Sequence, residues 1–379
     1  MNRWILAVTA TFLFAGLARA GAKDDLVKTW EKGAKALAAA QMADGAWTFD
    51  GKNGDVAATG LAVAALAGGP DGLRKPHDAA IAKGCDYLLK NQAADGKMHN
   101  EGSVPLLTNY KTAIAVMALA KADSAKYADA IKKGADWLAN FQYQAGGSQK
   151  AGPDDPNFGG AGYDEKNNQP RGDLSNTAYM LEALDAAGVP KDSDVWKRAV
   201  KFVERCQNRS ESNDGPGFDK MNIVVGDDGG FFYRPGESKA EKETLPNGKQ
   251  IFRSYGSMTY AGYRSMIFAG LTAEDPRVKS AFGWISKHYT LDENPNMGVK
   301  GLYYYYHVFA SALDAAGQAE IKDSEGEKHL WAEELTAKLA SLQSADGTWK
   351  GDPKWMEDVQ PLPACYSLLA LNHAAKHLK

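Results

Sequence analysis

Gln41-Met42-Ala43-Asp44-Gly45-Ala46-Trp47 returns near the other end of the chain as Gln343-Ser344-Ala345-Asp346-Gly347-Thr348-Trp349. One spacing of Gln, Gly and Trp at both ends of a chain marks an internal repeat. In each copy an amphipathic segment leads into the Gln (30–41 and 335–343). An apolar segment rich in small residues follows the loop (59–67 and 365–374). Gln at a helix end can bond orphaned carbonyls and reach the loop of the next repeat. Gly admits positive φ in the turn, and Trp is placed to stack across an outer layer.

Four further units lie between these two. The second has 85–92, then Ala94-Asp95-Gly96-Lys97-Met98, then 112–120. The third has 137–142, a longer loop with Gly159-Gly160-Ala161-Gly162-Tyr163, then 177–187. The fourth ends its first helix at Cys206-Gln207. It carries Asp227-Asp228-Gly229-Gly230-Phe231-Phe232-Tyr233 and continues through 259–270. The fifth is degenerate, with 282–289, Gly298, Gly301-Leu302-Tyr303 and 306–317. Six units predict twelve helices.

Second helices such as Leu61-Ala62-Val63-Ala64-Ala65-Leu66 are apolar nearly all round, which predicts burial on every side. First helices such as 27–40 mix Lys and Glu into an apolar face, as an outer layer requires. Two concentric helical layers fit this contrast better than an open solenoid. Strand-like alternation is expected only near 231–234.

Arg3, the apolar run 5–17 and Ala18-Arg19-Ala20 have the order of a secretory leader with a small-x-small cleavage site. We therefore expect a leader over 1–20 and one domain over 21–379, exported to a periplasmic or extracellular address, with no stable membrane anchor. The 44 Lys and Arg nearly balance 47 Asp and Glu, leaving a formal net charge of −3. No basic stripe results, which argues against nucleic acid as a partner. Cys85, Cys206 and Cys365 are scattered and read as buried thiols. No Cys-x-x-Cys pair is present, and neither metal nor cofactor is expected.

The units 41–47 and 343–349, with 92–98 as a variant in which Met98 replaces Trp, resemble the QW motif of squalene–hopene cyclases and related terpenoid cyclases. The likeness extends to the protein prenyltransferase β-subunit. It implies an all-α fold, an α6–α6 barrel (α/α toroid) of six helical hairpin repeats, with the cavity near the N-terminal ends of the inner helices. It also implies an acidic D-x-D-D-T-A stretch opening one inner helix. The matching frame here is Asp173-Leu174-Ser175-Asn176-Thr177-Ala178, with Ser175 where the proton-donating Asp should stand. Asp173 also reads as a helix cap. The Asp-x-Cys of a prenyltransferase zinc site does not occur.

A polar and aromatic set gathers at the expected inner-helix mouths. Asp173, Asn176, Tyr255, Tyr260 and His307 are the candidate catalytic residues, with His307 as base and a Tyr hydroxyl as acid. Arg253, Ser257, Tyr303, Tyr305 and Tyr306 are the candidate substrate-binding residues. Successive helical residues point about 100° apart, so only one or two of Tyr303 to Tyr306 can face a cavity. Residues 235–250 read as an exposed loop or hairpin at a rim. Asp154-Asp155 read as a turn. Three functions remain open: a toroid binding a small apolar or isoprenoid-like ligand, a secreted polysaccharide lyase using Asn176, Arg253, Tyr255 and His307, and a non-enzymatic scaffold. A monomer is expected, with a small molecule or glycan in the cavity.

Overall fold

The computed structural model describes residues 5–100, 107–164 and 171–378, of which 5–20 by backbone alone. The side chains of the expected leader thus lie outside the described residues. Twelve α-helices run through the described residues. The even-numbered set is α2 (Val56–Ala67), α4 (Thr108–Asp123), α6 (Leu174–Ala186), α8 (Gly256–Phe268), α10 (Leu302–Ala315) and α12 (Leu362–Ala375). The odd-numbered set is α1 (Ile5–Ala39), α3 (Asp78–Lys90), α5 (Ala128–Phe141), α7 (Asp194–Arg205), α9 (Pro276–Lys287) and α11 (Trp331–Leu342).

The even helices are mostly buried around their whole circumference, polar residues such as Asn176 and Arg264 included; every residue of α2 is buried. Each packs against the next, from α2 on α4 through α10 on α12, and α12 lies against α2. The odd helices are amphipathic and bury one stripe, as Val195, Trp196, Ala199, Phe202 and Val203 do in α7. They lean on the even set: α3 on α2, α5 on α4, α9 on α8, and α1 on both α11 and α12. Contrary to the expected hairpin pairing, α3 leans more on the preceding α2 than on its sequence partner α4. α5 and α9 likewise lean on the preceding even helix, whereas α11 packs on its sequence partner α12, so the stagger against the repeat read from the sequence is local.

The recurrent Gln binds in a different way from the one expected. Gln41 Nε2 donates to Gly45 O in its own loop and to Ala80 O in the first turn of α3, both at 2.9 Å. Gln92 repeats this with Gly96 and Ala130, Gln142 with Gly159 and Val195, and Gln207 with Gly229 and Arg277. The amide thus bridges its loop to the start of the next odd helix, rather than capping its own. Gln343 does the same with Gly347 and, across the chain ends, with Thr29 of α1. In the degenerate fifth unit the Tyr289 hydroxyl donates to Glu334 of α11 instead.

Gly347 shows why the loop position is restricted. Its φ is +92°, and a Cβ there would lie 2.5 Å from the Lys32 carbonyl oxygen. The loops are also tied inward, since Thr59, Thr112, Thr177 and Thr259 hydroxyls accept from the main-chain N–H of Trp47, Met98, Ala161 and Phe231. Trp47 and Trp349 do not stack across the layer alone: each indole N–H donates to a carbonyl of its own odd helix, Leu37 and Leu339. The three cysteines are free and buried.

Strands occur elsewhere than expected. Residues 231–234 form only isolated bridges, while β1 (Lys242–Thr244) pairs with β2 (Gln250–Phe252), and β3 (Ile321–Lys322) with β4 (Lys328–His329), both antiparallel. The first hairpin occupies most of the 235–250 insertion. Its Phe252 packs with Phe218, Ile223 and Phe232 in a small satellite core.

Candidate functional site

A cavity of about 210 Å³ opens where the N-terminal turns of the even helices converge. Tyr110 of α4, Ser175 of α6, Ser257 and Met258 of α8, Tyr304 of α10 and Tyr366 of α12 supply its walls. Loops add Tyr163, Tyr233 and Tyr255, with Trp355 and Lys239 at the rim. The Lys239 ammonium lies 4.7 Å from the Tyr233 ring centre and pairs with Glu237.

The hydroxyls are linked. Tyr110 donates to Ser175 Oγ at 2.6 Å, and Ser175 Oγ lies 2.8 Å from the Tyr304 hydroxyl. Tyr163 and Tyr233 hydroxyls are 2.7 Å apart. Burial pushes the Tyr304 and Tyr163 phenols up to about 12, and those of Tyr110 and Tyr255 well above the ordinary value. Desolvation penalises the phenolate, so the lining is neutral and hydrogen-bonding at physiological pH.

Two buried carboxyls flank this lining. Asp173 caps α6, accepting from Asn176 N and Asn176 Nδ2, both at 2.8 Å. Burial raises it to about 6, against the lowering effect of the Asn176 and Tyr233 hydrogen bonds. Glu357 lines the cavity and accepts from the main-chain N–H of Leu302, Tyr303 and Tyr304. It satisfies the orphan donors of the first turn of α10 from 54 residues away along the chain. Burial raises it to about 7.

Of the ten candidate site residues, the structure places Tyr255 and Ser257 in the cavity wall. Asp173 and Asn176 stand behind it, in the α6 cap. The four consecutive tyrosines divide otherwise than expected: Tyr304 faces the cavity, whereas Tyr303, Tyr305 and Tyr306 donate to the carbonyls of Lys350, Thr290 and Leu291. Tyr260 turns the same way, its ring against Tyr305 and Phe309. Arg253 bonds Asn296 at 3.2 Å outside the cavity. His307 is buried deeper in the chain's core, stacked on Tyr366 with ring centres 5.5 Å apart. Of the four groups needed for lyase chemistry, only Tyr255 lines the cavity.

Glu357, Trp355, Tyr163, Tyr233 and Tyr366 escaped the sequence reading. Glu357 sits in Trp355-Met356-Glu357-Asp358, which carries no motif, and no local spacing connects it with α10. The aromatic enrichment near Tyr163 and Tyr233 was the one usable signal. Asp155 forms the expected turn, accepting from Asn157 N at 2.8 Å. Away from the cavity, Asp323, Glu327 and His329 bring ligand-type atoms within 4.8 Å of one another. His329 has carboxylates at both ring nitrogens, Asp323 at 3.4 Å and Glu334 at 3.2 Å.

The fold is that of a terpenoid-cyclase-like protein. Residues 106–224 match the family model of the squalene-hopene cyclase C-terminal domain. Among solved structures, a variant of the type II terpene cyclase MstE from Scytonema, in complex with its substrate geranylgeranyl dihydroxybenzoate, is 11% identical with a TM-score of 0.57. That match covers 95% of this chain and 100% of the other. A second MstE variant, with the product merosterolic acid A, is 12% identical at a TM-score of 0.55, over 95% and 99% of the two chains. A protein from Actinoplanes is 14% identical at 0.52, over 93% and 99%. No curated protein matches the chain. The resemblance first carried by the Gln, Gly and Trp units therefore holds at the level of fold. Among the described residues, no helix is long and apolar enough to cross a membrane.

Proposed function

We propose that this chain is an exported, monomeric α6–α6 toroid that binds a short isoprenoid with a hydrogen-bonding head group in the tyrosine-lined cavity, without cyclising it. The toroid reading is supported by the cycle of even-helix contacts and by the Gln343 to Thr29 bond, which make the Gln-Gly-Trp units QW-type links between successive repeats. The ligand class is supported by the ring of tyrosines, whose faces suit a polyene and whose neutral hydroxyls suit an alcohol or phenol head. The cavity, at about 210 Å³, is smaller than the roughly 300–1,000 Å³ common for ligand pockets. A short chain fits such a space better than a triterpene.

The observation that carries the proposal is Ser175. It stands where the resemblance of 173–178 puts the cyclase acid, and its hydroxyl is engaged by Tyr110 and Tyr304. Protonating an alkene demands a strong acid. Asp173, raised to about 6 and bound to Asn176 in the α6 cap, and Glu357, raised to about 7, are both weaker acids than a free carboxyl. The chain therefore keeps the binding half of cyclase chemistry and lacks the initiating half.

Titration with geraniol and farnesol, read through intrinsic tryptophan fluorescence with Trp355→Phe as the control for the cavity signal, tests this. Saturable binding with recovery of the unchanged alcohol is the expected result. Absence of binding to either alcohol overturns the ligand class, and cyclic products overturn the claim that no cyclisation occurs.

A further inference from the structure

The fifth unit lacks the glutamine that ties each other loop to the next odd helix, and Tyr289 stands in by donating to Glu334 Oε2 at 2.8 Å. His329 joins this pair. Its ring stacks on Tyr289 with centres 4.1 Å apart, and its Nδ1 lies 3.2 and 3.3 Å from the two oxygens of Glu334. His329 belongs to β4, and the turn that links it to β3 is closed by Asp323, whose Oδ1 accepts from the main-chain N–H of Glu325 and Glu327. The other oxygen of Asp323, Oδ2, faces His329 Nε2 at 3.4 Å. Glu327, exposed in the same turn, brings a carboxylate oxygen within 4.8 Å of both.

A neutral imidazole carries one N–H, so it can donate to only one of its two carboxylate neighbours. With that proton on Nδ1, toward Glu334, the Nε2 lone pair points at Asp323 and Glu327. Such an arrangement is repulsive unless a cation stands between. The distances agree. At 3.4 Å the Nε2 to Oδ2 gap is long for a charge-assisted hydrogen bond, which closes to about 2.7–2.9 Å. It matches the roughly 3.3 Å between ligand atoms around a tetrahedral zinc with bonds of about 2.0–2.1 Å. Only the exposed Glu327 side chain has to swing inward.

We infer that His329 Nε2, Asp323 Oδ2 and the Glu327 carboxylate form a site for a divalent transition metal of the zinc class. Glu334 holds the opposite ring nitrogen, as a carboxylate commonly does behind a metal-binding histidine. One imidazole nitrogen with two carboxylate oxygens favours zinc over calcium or magnesium, which take oxygen ligands. Water completes the fourth position. The metal locks the β3–β4 hairpin, through His329, onto the Tyr289–Glu334 contact at the joint where the glutamine link is missing. None of these residues lines the tyrosine cavity, so the site does not depend on a ligand there.

Calorimetric titration with zinc chloride, on the full chain freed of metal by EDTA and dialysis, tests the inference. One zinc per chain is expected, with a rise in the thermal midpoint and much weaker binding of calcium and magnesium chloride. Glu327→Gln leaves the turn's main-chain bonds and the His329–Glu334 pair in place, and should weaken zinc about tenfold by removing one charged ligand. His329→Gln should abolish the site while circular dichroism stays unchanged. His99→Gln, in the second unit, should leave zinc binding as it is. No zinc binding by the unaltered protein, as expected if a second proton on His329 fills the gap, overturns the site. So does full affinity in Glu327→Gln, or loss of zinc in His99→Gln. Calcium bound as tightly as zinc overturns the metal class.

Discussion

The Gln343 side-chain amide donates to the main-chain carbonyl of Thr29 at 3.0 Å, joining the sixth repeat to the first. The same amide reaches Gly347 O at 3.1 Å, so one side chain satisfies two carbonyls at the point where the chain's ends meet. Four other glutamines make the equivalent pair of bonds within the chain. Only Gln343 does so between its two ends.

Gln343→Ala should therefore destabilise the protein by about 1–3 kcal/mol, the cost of leaving buried carbonyls without donors. Gly347→Ala should cost more, because it adds a strained φ of +92° to a Cβ only 2.5 Å from the Lys32 carbonyl. Equilibrium urea unfolding measures both. A loss within about 0.5 kcal/mol for Gln343→Ala would mean that the bond contributes nothing to closure.

Tyr304 and Tyr305 are neighbours with opposite duties. Tyr304→Phe should weaken an alcohol ligand about fivefold, for the loss of one hydroxyl worth ~1 kcal/mol, with little change in stability. Tyr305→Phe loses the 2.8 Å bond to Thr290 O and should reduce stability by ~1 kcal/mol with ligand affinity intact. Ligand titration by intrinsic tryptophan fluorescence and thermal unfolding, run on both variants, separate the two effects. Equal loss of affinity in both variants would contradict the orientation of α10.

Glu357 makes stability depend on pH. Its folded value, about 7, is above the ordinary 4.5, so the folded state holds the proton more tightly than the unfolded chain does. Linkage then makes its contribution full below 4.5 and lost as pH rises through about 7. The buried His307 and His373, lowered from 6.5, act in the opposite sense and destabilise the fold as pH falls. The effect is therefore read as a difference. Relative to Glu357→Gln, the unaltered protein should lose stability between pH 5 and 7. A pH-independent difference would show that Glu357 titrates normally.

Export makes its own prediction. Expressed with its leader in a bacterial host, the protein should be recovered from the periplasm beginning at Gly21, as read by intact mass. Retention of residues 1–20 on a cytoplasmic product would end that proposal.

The helices were legible from the repeats because burial period is a local property: an Ala- and Leu-rich run has one way to hide its apolar surface. The buried thiols and the Asp173 cap followed from equally local chemistry. The hairpin 242–252 was legible only as an insertion, since its pairing depends on a satellite core around Phe218 and Phe252. The site was read least well. Tyr303, Tyr305 and Tyr306 were chosen for their composition, while Tyr304 faces the cavity because the rotation of α10 sets it against Ser175.

The sequence by itself determined a set of six helix pairs, five of them with a Gln that needs carbonyls and a Gly that needs positive φ. What only the tertiary structure decided was where those demands are met. Gln41 finds its second carbonyl in the next odd helix, Gln343 finds its own in the first, and Glu357 finds three N–H groups at the start of α10. These partners are far apart along the chain and share no spacing. Their choice rests on which helix ends converge, and that is settled by packing the apolar even helices against one another.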